Sequence, residues 1–248
     1  MSTKREREYE RRRLEKWQER QARRRAARHR RNVVIGSIGA AAVVVVAVAV
    51  ARSSGSGVDE PTPAPTVTTP VNGDLVPDPS LAEDRAWTGT IVTSRGDLEI
   101  ELDGAAAPQA VANFVTLAAD GFFDGTSCHR LATVNIYVLQ CGDPQGDGFG
   151  DPGYRWGPIE NAPADDVYPA GTIAMARGSD DGWSMGSQFF LVYDDSTIPS
   201  DSAGGYTVLG EVTSGLDVLQ AIADDGTADP DGDGPPATAV IIEGVDTQ

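Results

Sequence analysis

The chain has 248 residues, enough for one ordinary domain plus appendages, and a formal net charge of −17. That charge hides two opposite parts. Residues 1–32 carry fourteen Lys or Arg against five Glu, whereas the rest carries six Arg, no Lys and 32 acidic residues. Such a split excludes one uniform field and is read as two compartments.

Residues 4–31 alternate Glu, Arg and Gln with few breakers, and Glu8 and Glu10 each have an Arg three positions on, so the stretch reads as a charged helix. No folded reader module accompanies these arginines. They are therefore assigned to a membrane-proximal arm lying against anionic headgroups, and no nucleic-acid partner is expected. Residues 33–51 follow as nineteen uncharged positions rich in Val and Ala. At the helical rise they span roughly 28 Å, close to the hydrocarbon thickness. A single-pass transmembrane anchor is predicted, with the Arg-rich N-terminus cytoplasmic and everything after Ala51 outside. Ala49-Val50-Ala51 would fit a signal-peptide cleavage site, but a 32-residue basic region favours an uncleaved anchor. Residues 52–86 are Ser, Gly, Pro and Thr with almost no large apolar residue, and 61–66 alternates proline. Such a stretch buries too little to offset its conformational entropy, and a flexible linker is expected.

The folded domain is predicted over 87–248. Polar and apolar residues alternate at 88–93 and 97–102 around Ser94-Arg95-Gly96, which predicts a hairpin. Val111, Phe114, Val115, Leu117 and Ala118 recur at helical spacing after Pro108, with Gly121 as the stop. Short apolar runs follow at 137–139, 173–176, 189–192 and 207–209, then a second helix at 216–223 closed by Gly226 and a last strand at 239–243. Many short strands with two helices predict a mainly β protein, a closed antiparallel barrel.

The chemistry-bearing segments come in a particular order: Phe122-Phe123-Asp124-Gly125, Cys128-His129-Arg130, Gln140-Cys141-Gly142-Asp143-Pro144, 171–176, then Gly186-Ser187-Gln188-Phe189-Phe190. That order resembles the cyclophilin-type peptidyl-prolyl cis-trans isomerases from about Gly89 to Val245. The resemblance implies an eight-stranded barrel capped by two helices, acting on Xaa–Pro bonds of polypeptides with no cofactor and no metal. Isomerisation is slow because amide resonance must be lost. A catalyst needs a dry pocket for the ring and a donor for the prolyl nitrogen, which gains basicity as conjugation breaks.

On this resemblance Arg130 is the catalytic donor, a permanently charged guanidinium with a fixed fork of N–H groups. Gln140 orients it and contacts substrate, and Gln188 binds the residue before proline. Tyr137, Val138, Phe190 and Leu209 line the proline pocket, Ala176 offers a backbone contact, and Tyr206 stands where many members carry a pocket-edge histidine. His129 is expected on the opposite strand face as a structural residue. The chain also departs from the family. Nine residues separate Arg130 from Gln140 where seven is usual, which predicts an enlarged turn at 133–135. The loop 177–185 is also longer. Ile198 or Pro199 stands in the region of a common tryptophan, so cyclosporin binding is not carried over.

If Arg130 and Gln140 are neighbours on antiparallel strands, Cys128 and Cys141 come close enough to pair, and a compartment outside the membrane favours a disulfide over two buried thiols. Residues 229–234 open like a calcium loop, but Val240 stands at the twelfth position, so an acidic solvated turn is expected. The whole reads as a membrane-tethered, bacterial extracytoplasmic isomerase that assists protein folding. A non-catalytic proline-segment binding module and an envelope scaffold are the alternatives, and Arg130 favours the enzyme because binding a ring needs only an apolar wall.

Overall fold

The computed structural model describes residues 70–248. The basic segment, the apolar segment and residues 52–69 of the spacer lie outside the described residues. The spacer expected to run to Ala86 is already packed within its described part. Asp78 caps a 3-10 turn, Pro79–Ala82, by accepting from the Ser80 N–H at 2.9 Å, and Ala82 is fully buried. Asn72 donates to the Gly157 carbonyl at 2.8 Å and accepts from the Gly157 N–H at 3.1 Å. Among the described residues, packing onto the domain is thus already present at Asn72, ahead of the start expected at 87. A low apolar content hid this, because what attaches the segment is the Asn72 side-chain amide, the buried Ala82 and Val76 packed against the core.

Strands β1 (Ala86–Thr93) and β2 (Gly96–Asp103) form the expected hairpin, in register from Thr93↔Gly96 to Ala86↔Asp103. Alternate residues of β2, Leu98, Ile100 and Leu102, are buried, as a one-sided strand requires. Helix α1 (Pro108–Ala119) matches its predicted bounds. Its N-cap residue, Ala107, has no capping side chain. The carboxylate of Glu160 substitutes, accepting from the N–H groups of Gln109 at 3.0 Å and Ala110 at 2.9 Å. Burial pushes the Glu160 carboxyl above its ordinary value against the pull of those two bonds.

Eight short strands follow: β3 (Thr126–Ser127), β4 (Arg130–Ala132), β5 (Val138–Cys141), β6 (Val167–Tyr168), β7 (Thr172–Met175), β8 (Phe189–Val192), β9 (Ser196–Thr197) and β10 (Val208–Ser214). Helix α2 (Leu216–Asp224), β11 (Asp233–Gly234) and β12 (Ile241–Thr247) complete the fold. The last strand lies two residues later and runs longer than the sequence predicts. Among the described residues ten strands form one antiparallel sheet in the order β11-β4-β5-β8-β7-β10-β2-β1-β12-β3, with β6 and β9 as a separate ribbon. The count exceeds the expected eight because the two-residue strands β3 and β11 extend the ends. β3 and β4 stand near opposite ends of that order yet only two residues apart in sequence, so the sheet must curl back on itself.

Two apolar clusters result. The larger centres on Phe114, Phe123 and Phe189, with ring centroids 5.1–5.6 Å apart. The smaller contains Val138, Tyr168, Ala174, Phe190, Val192 and Ile198. Strand alternation sends Phe189 and Leu191 to the first and Phe190 and Val192 to the second.

Candidate active site

The candidate site lies on the smaller cluster. Arg130 pairs with Gln140 across β4 and β5, and Gln140 in turn with Phe190 on β8. Arg130, Ile136, Val138, Gln140, Ala176, Arg177, Phe190, Ile198 and Tyr206 enclose a pocket of ≈ 110 Å³. Of the expected residues, Arg130, Gln140, Val138, Ala176, Phe190 and Tyr206 therefore meet here.

Two expected wall residues do not. Tyr137 packs against the larger cluster, its ring centroid 5.9 Å from that of Tyr193. Leu209 is fully buried in the same core. The reason is parity. Tyr137 and Val138 are consecutive and point to opposite faces, so Ile136 and not Tyr137 joins Val138 in the pocket, and Val208 rather than Leu209 packs against the smaller cluster. Period-two alternation back from Val138 would have found Ile136.

A second cleft of ≈ 360 Å³ adjoins the first, and Gln140, Ala176 and Arg177 line both. Gln188 belongs to this larger cleft. Its amide is fully engaged, donating to the carbonyls of Gly148 at 3.0 Å and Gly150 at 2.9 Å and accepting from Gln140 Nε2 at 2.9 Å. Gln140 Oε1 accepts from Arg130 NH1 at 3.3 Å. A relay thus runs from Arg130 through both glutamines to the loop carbonyls. Asp143 organises that loop by accepting from the N–H groups of Gln145 at 2.7 Å, Asp147 at 3.0 Å and Gly148 at 2.6 Å. Burial pushes Asp143 up, but backbone donors, led by the N–H groups of Gln145 and Gly148, outweigh it and its carboxyl lies below the ordinary value. Gly142, at φ 83°, is required because any Cβ would run into the backbone carbonyl oxygen of Ser187.

Two charged residues of the site escaped sequence reasoning. The first is Arg177, whose side chain is fully buried. It donates to both oxygens of Asp201, to the carbonyls of Gly178 and Gly205 and, closely, to that of Gly204. Its guanidinium sits 4.6 Å from the Tyr206 ring centroid and so presses that ring toward Phe190, whose centroid is 5.5 Å away. The second is Asp233, inside the run expected to be a solvated acidic turn. Both its oxygens accept from Arg130, from Nε at 2.6 Å and NH2 at 2.6 Å. Hydrogen bonding to Asp233 raises Arg130 above its ordinary value and holds the Asp233 carboxyl below its own. Neither was legible locally, since 47 and 103 residues separate Arg130 from them.

Cys128 and Cys141 form a disulfide with a Cα–Cα distance of 4.0 Å, tying the chain two residues before Arg130 to the residue after Gln140. His129 lies beside Arg130, half-buried, and both ring nitrogens lack a hydrogen-bond partner. Burial lowers its basicity.

The model of the family described as "Cyclophilin type peptidyl-prolyl cis-trans isomerase/CLD" matches residues 88–247. A Mycobacterium leprae protein named "Probable peptidyl-prolyl cis-trans isomerase B" is 40% identical over 189 residues, covering 71% of this chain and 60% of that protein. The chain thus spans about three-fifths of that relative. A Cryptosporidium parvum cyclophilin type isomerase structure superposes with a TM-score of 0.56 at 27% identity, covering 66% of this chain and 98% of the other. Another structure of the same protein, "in the presence of dipeptide ala-pro", gives a TM-score of 0.54 at 29% identity, covering 64% and 96%. With the family match spanning well over half its length, the chain belongs to the cyclophilin-type peptidyl-prolyl cis-trans isomerase family.

Proposed function

We propose that the chain is a peptidyl-prolyl cis-trans isomerase, held on a bacterial membrane, that accelerates Xaa–Pro isomerisation in proteins outside the cytoplasm. The observation that carries the reading is a guanidinium at the rim of a small apolar pocket, with no nucleophile needed between them. The prolyl ring enters the wall of Ile136, Val138, Phe190, Ile198 and Tyr206. Arg130 then donates to the prolyl nitrogen as its lone pair leaves conjugation. This interaction strengthens only in the twisted state and lowers a barrier of about 18–20 kcal/mol. Residues preceding proline extend past Gln140 and Ala176 into the larger cleft beside Gln188. In this arrangement Gln188 shapes the cleft rather than offering the substrate a free amide. The Cryptosporidium parvum isomerase studied with the dipeptide Ala-Pro supports a proline-containing ligand.

The apolar stretch 33–51 and its Arg-rich flank support single-pass tethering, and the Cys128–Cys141 disulfide supports an oxidising compartment. The mycobacterial relative supports a bacterial setting. Among the described residues no helix is long and apolar enough to cross a membrane. The family reading makes the curled sheet a closed eight-stranded barrel, with β3 and β4 one run across its seam.

The test is cis–trans exchange of an Xaa–Pro peptide, followed by NMR with the full chain in detergent. Acceleration by the wild type that falls tenfold or more in Arg130→Ala is expected. A wild type that leaves exchange at its spontaneous rate refutes the activity. Digestion of the domain by protease added to intact cells would support its extracytoplasmic placement, and protection would refute it.

A further inference from the structure

Arg130 has five N–H donors, and the way they are divided is informative. Its Nε and one NH2 hydrogen go to Asp233 at 2.6 Å each, short and charge-assisted. One NH1 hydrogen reaches Gln140 at 3.3 Å, a long contact. That leaves one hydrogen on NH1 and one on NH2 available to a substrate. The strong anchor of this side chain is thus Asp233, while Gln140 is the weak one.

The features that hold Asp233 there lie in two loops. Nine residues separate Arg130 from Gln140, the enlarged turn expected from the sequence. Thr133, within that turn, donates from its backbone N–H at 2.8 Å and from Oγ1 at 3.0 Å to the Gly232 carbonyl. Gly232 has φ 80°, and a Cβ there would come within 2.6 Å of Val134 Cγ2 and 2.9 Å of Thr133 Oγ1. The next two residues, Asp233 and Gly234, pair with Ala132 and Leu131 on β4. The lengthened turn and the acidic loop are therefore one device.

We infer that Asp233 is the positioning residue of the catalytic arginine, its carboxylate locking the guanidinium so that the remaining NH1 and NH2 hydrogens face the proline pocket. The inference rests on the isomerase reading above. An arginine held by one long bond must be ordered anew in each transition state, whereas one gripped at Nε and NH2 is ordered beforehand. The carboxylate also offsets part of the positive charge. Orientation outweighs this, because the prolyl nitrogen develops a lone pair rather than a full negative charge.

The test uses the full chain, an Ala-Pro peptide and NMR exchange to separate kcat from KM. Asp233→Asn is expected to lower kcat about three- to fivefold, the range set by a half-exposed ion pair, with KM within about twofold. The same change in an Arg130→Ala background is expected to do nothing further, and Asp233→Glu to recover part of the loss. The 15N–1H signal of Arg130 Nε provides a readout independent of turnover. It should stand apart and sharp in the wild type and collapse toward the free-arginine position in Asp233→Asn. An unchanged or raised kcat, an additive loss in the Arg130→Ala background, or an Nε signal that does not move would overturn the inference. An inactive wild type whose Nε signal does respond to Asp233→Asn would refute the isomerase reading and leave the grip itself demonstrated.

Discussion

Replacing Asn72 with alanine tests whether the segment before the first strand belongs to the folded domain. Asn72 Nδ2 donates to Gln109 Oε1 at 2.9 Å and to the Gly157 carbonyl at 2.8 Å, and Oδ1 accepts from the Gly157 N–H at 3.1 Å. Gln109 is buried and donates in turn to the Pro77 carbonyl at 2.8 Å, at the start of α1. Truncation strips both Gly157 backbone groups and Gln109 Oε1 of a partner in a half-buried setting. At about 1 kcal/mol for each net hydrogen bond, the loss is about 2–3 kcal/mol. A domain of this size shifts by about 2–4 °C per kcal/mol, so Tm should fall by about 5–10 °C. Differential scanning calorimetry of the full chain, wild type against Asn72→Ala, measures it. A shift under about 1 °C would show that the segment lies on the domain without stabilising it, and the boundary near residue 87 would stand.

Reducing Cys128–Cys141 reopens a loop closed over 13 residues. The loop-entropy cost is about 3 kcal/mol, readable as a lower urea midpoint with dithiothreitol. An unchanged midpoint would mean that the strand pairing alone holds β4 to β5. Ile136→Ala should raise KM severalfold with little change in stability. Leu209→Ala should instead cost about 2–5 kcal/mol and leave KM alone, because one side chain lines the pocket and the other fills the core. The reverse pattern would place the pocket on the other strand face. His129 has a folded pKa below its unfolded one, through burial and the Arg130 charge against the opposing pull of Asp143 and Asp147. The unfolded chain therefore binds the proton first, so this contribution to stability is present above the unfolded value near 6.5 and is lost as pH falls through the folded one. Urea midpoints at pH 7.5 and 5.5 should diverge less in His129→Gln than in the wild type, and equal divergence would place the acid sensitivity elsewhere.

How far the site was legible depended on how local its determinants are. Cys128-His129-Arg130 and the Gln188-Phe189-Phe190 run stand out because each joins a polar or charged side chain to apolar neighbours within a few residues. Strand alternation excludes Tyr137 beside Val138, and the structure obeys it by selecting Ile136. Asp233 and Arg177 lay beyond reach. An aspartate in an Asp-Pro-Asp-Gly-Asp run has the composition of a solvated turn, and only pairing of β11 with β4 brings it to Arg130. Arg177 looks like a surface cation until the loop at 201–205 folds over it and supplies a carboxylate and two carbonyls.

By itself the sequence determined what depends on neighbours along the chain. That includes the hairpin at 86–103, the helix opened by Pro108 and ended at Gly121, and the segment order that carries the family. Only the tertiary structure decided which face each short strand turns to the pocket, that residues 72–86 join the fold, and that an acidic loop grips Arg130. The physical reason is range. Turn and helix preferences act over about four residues, whereas an ion pair 103 residues long in sequence exists only once the sheet has curled and brought its ends together.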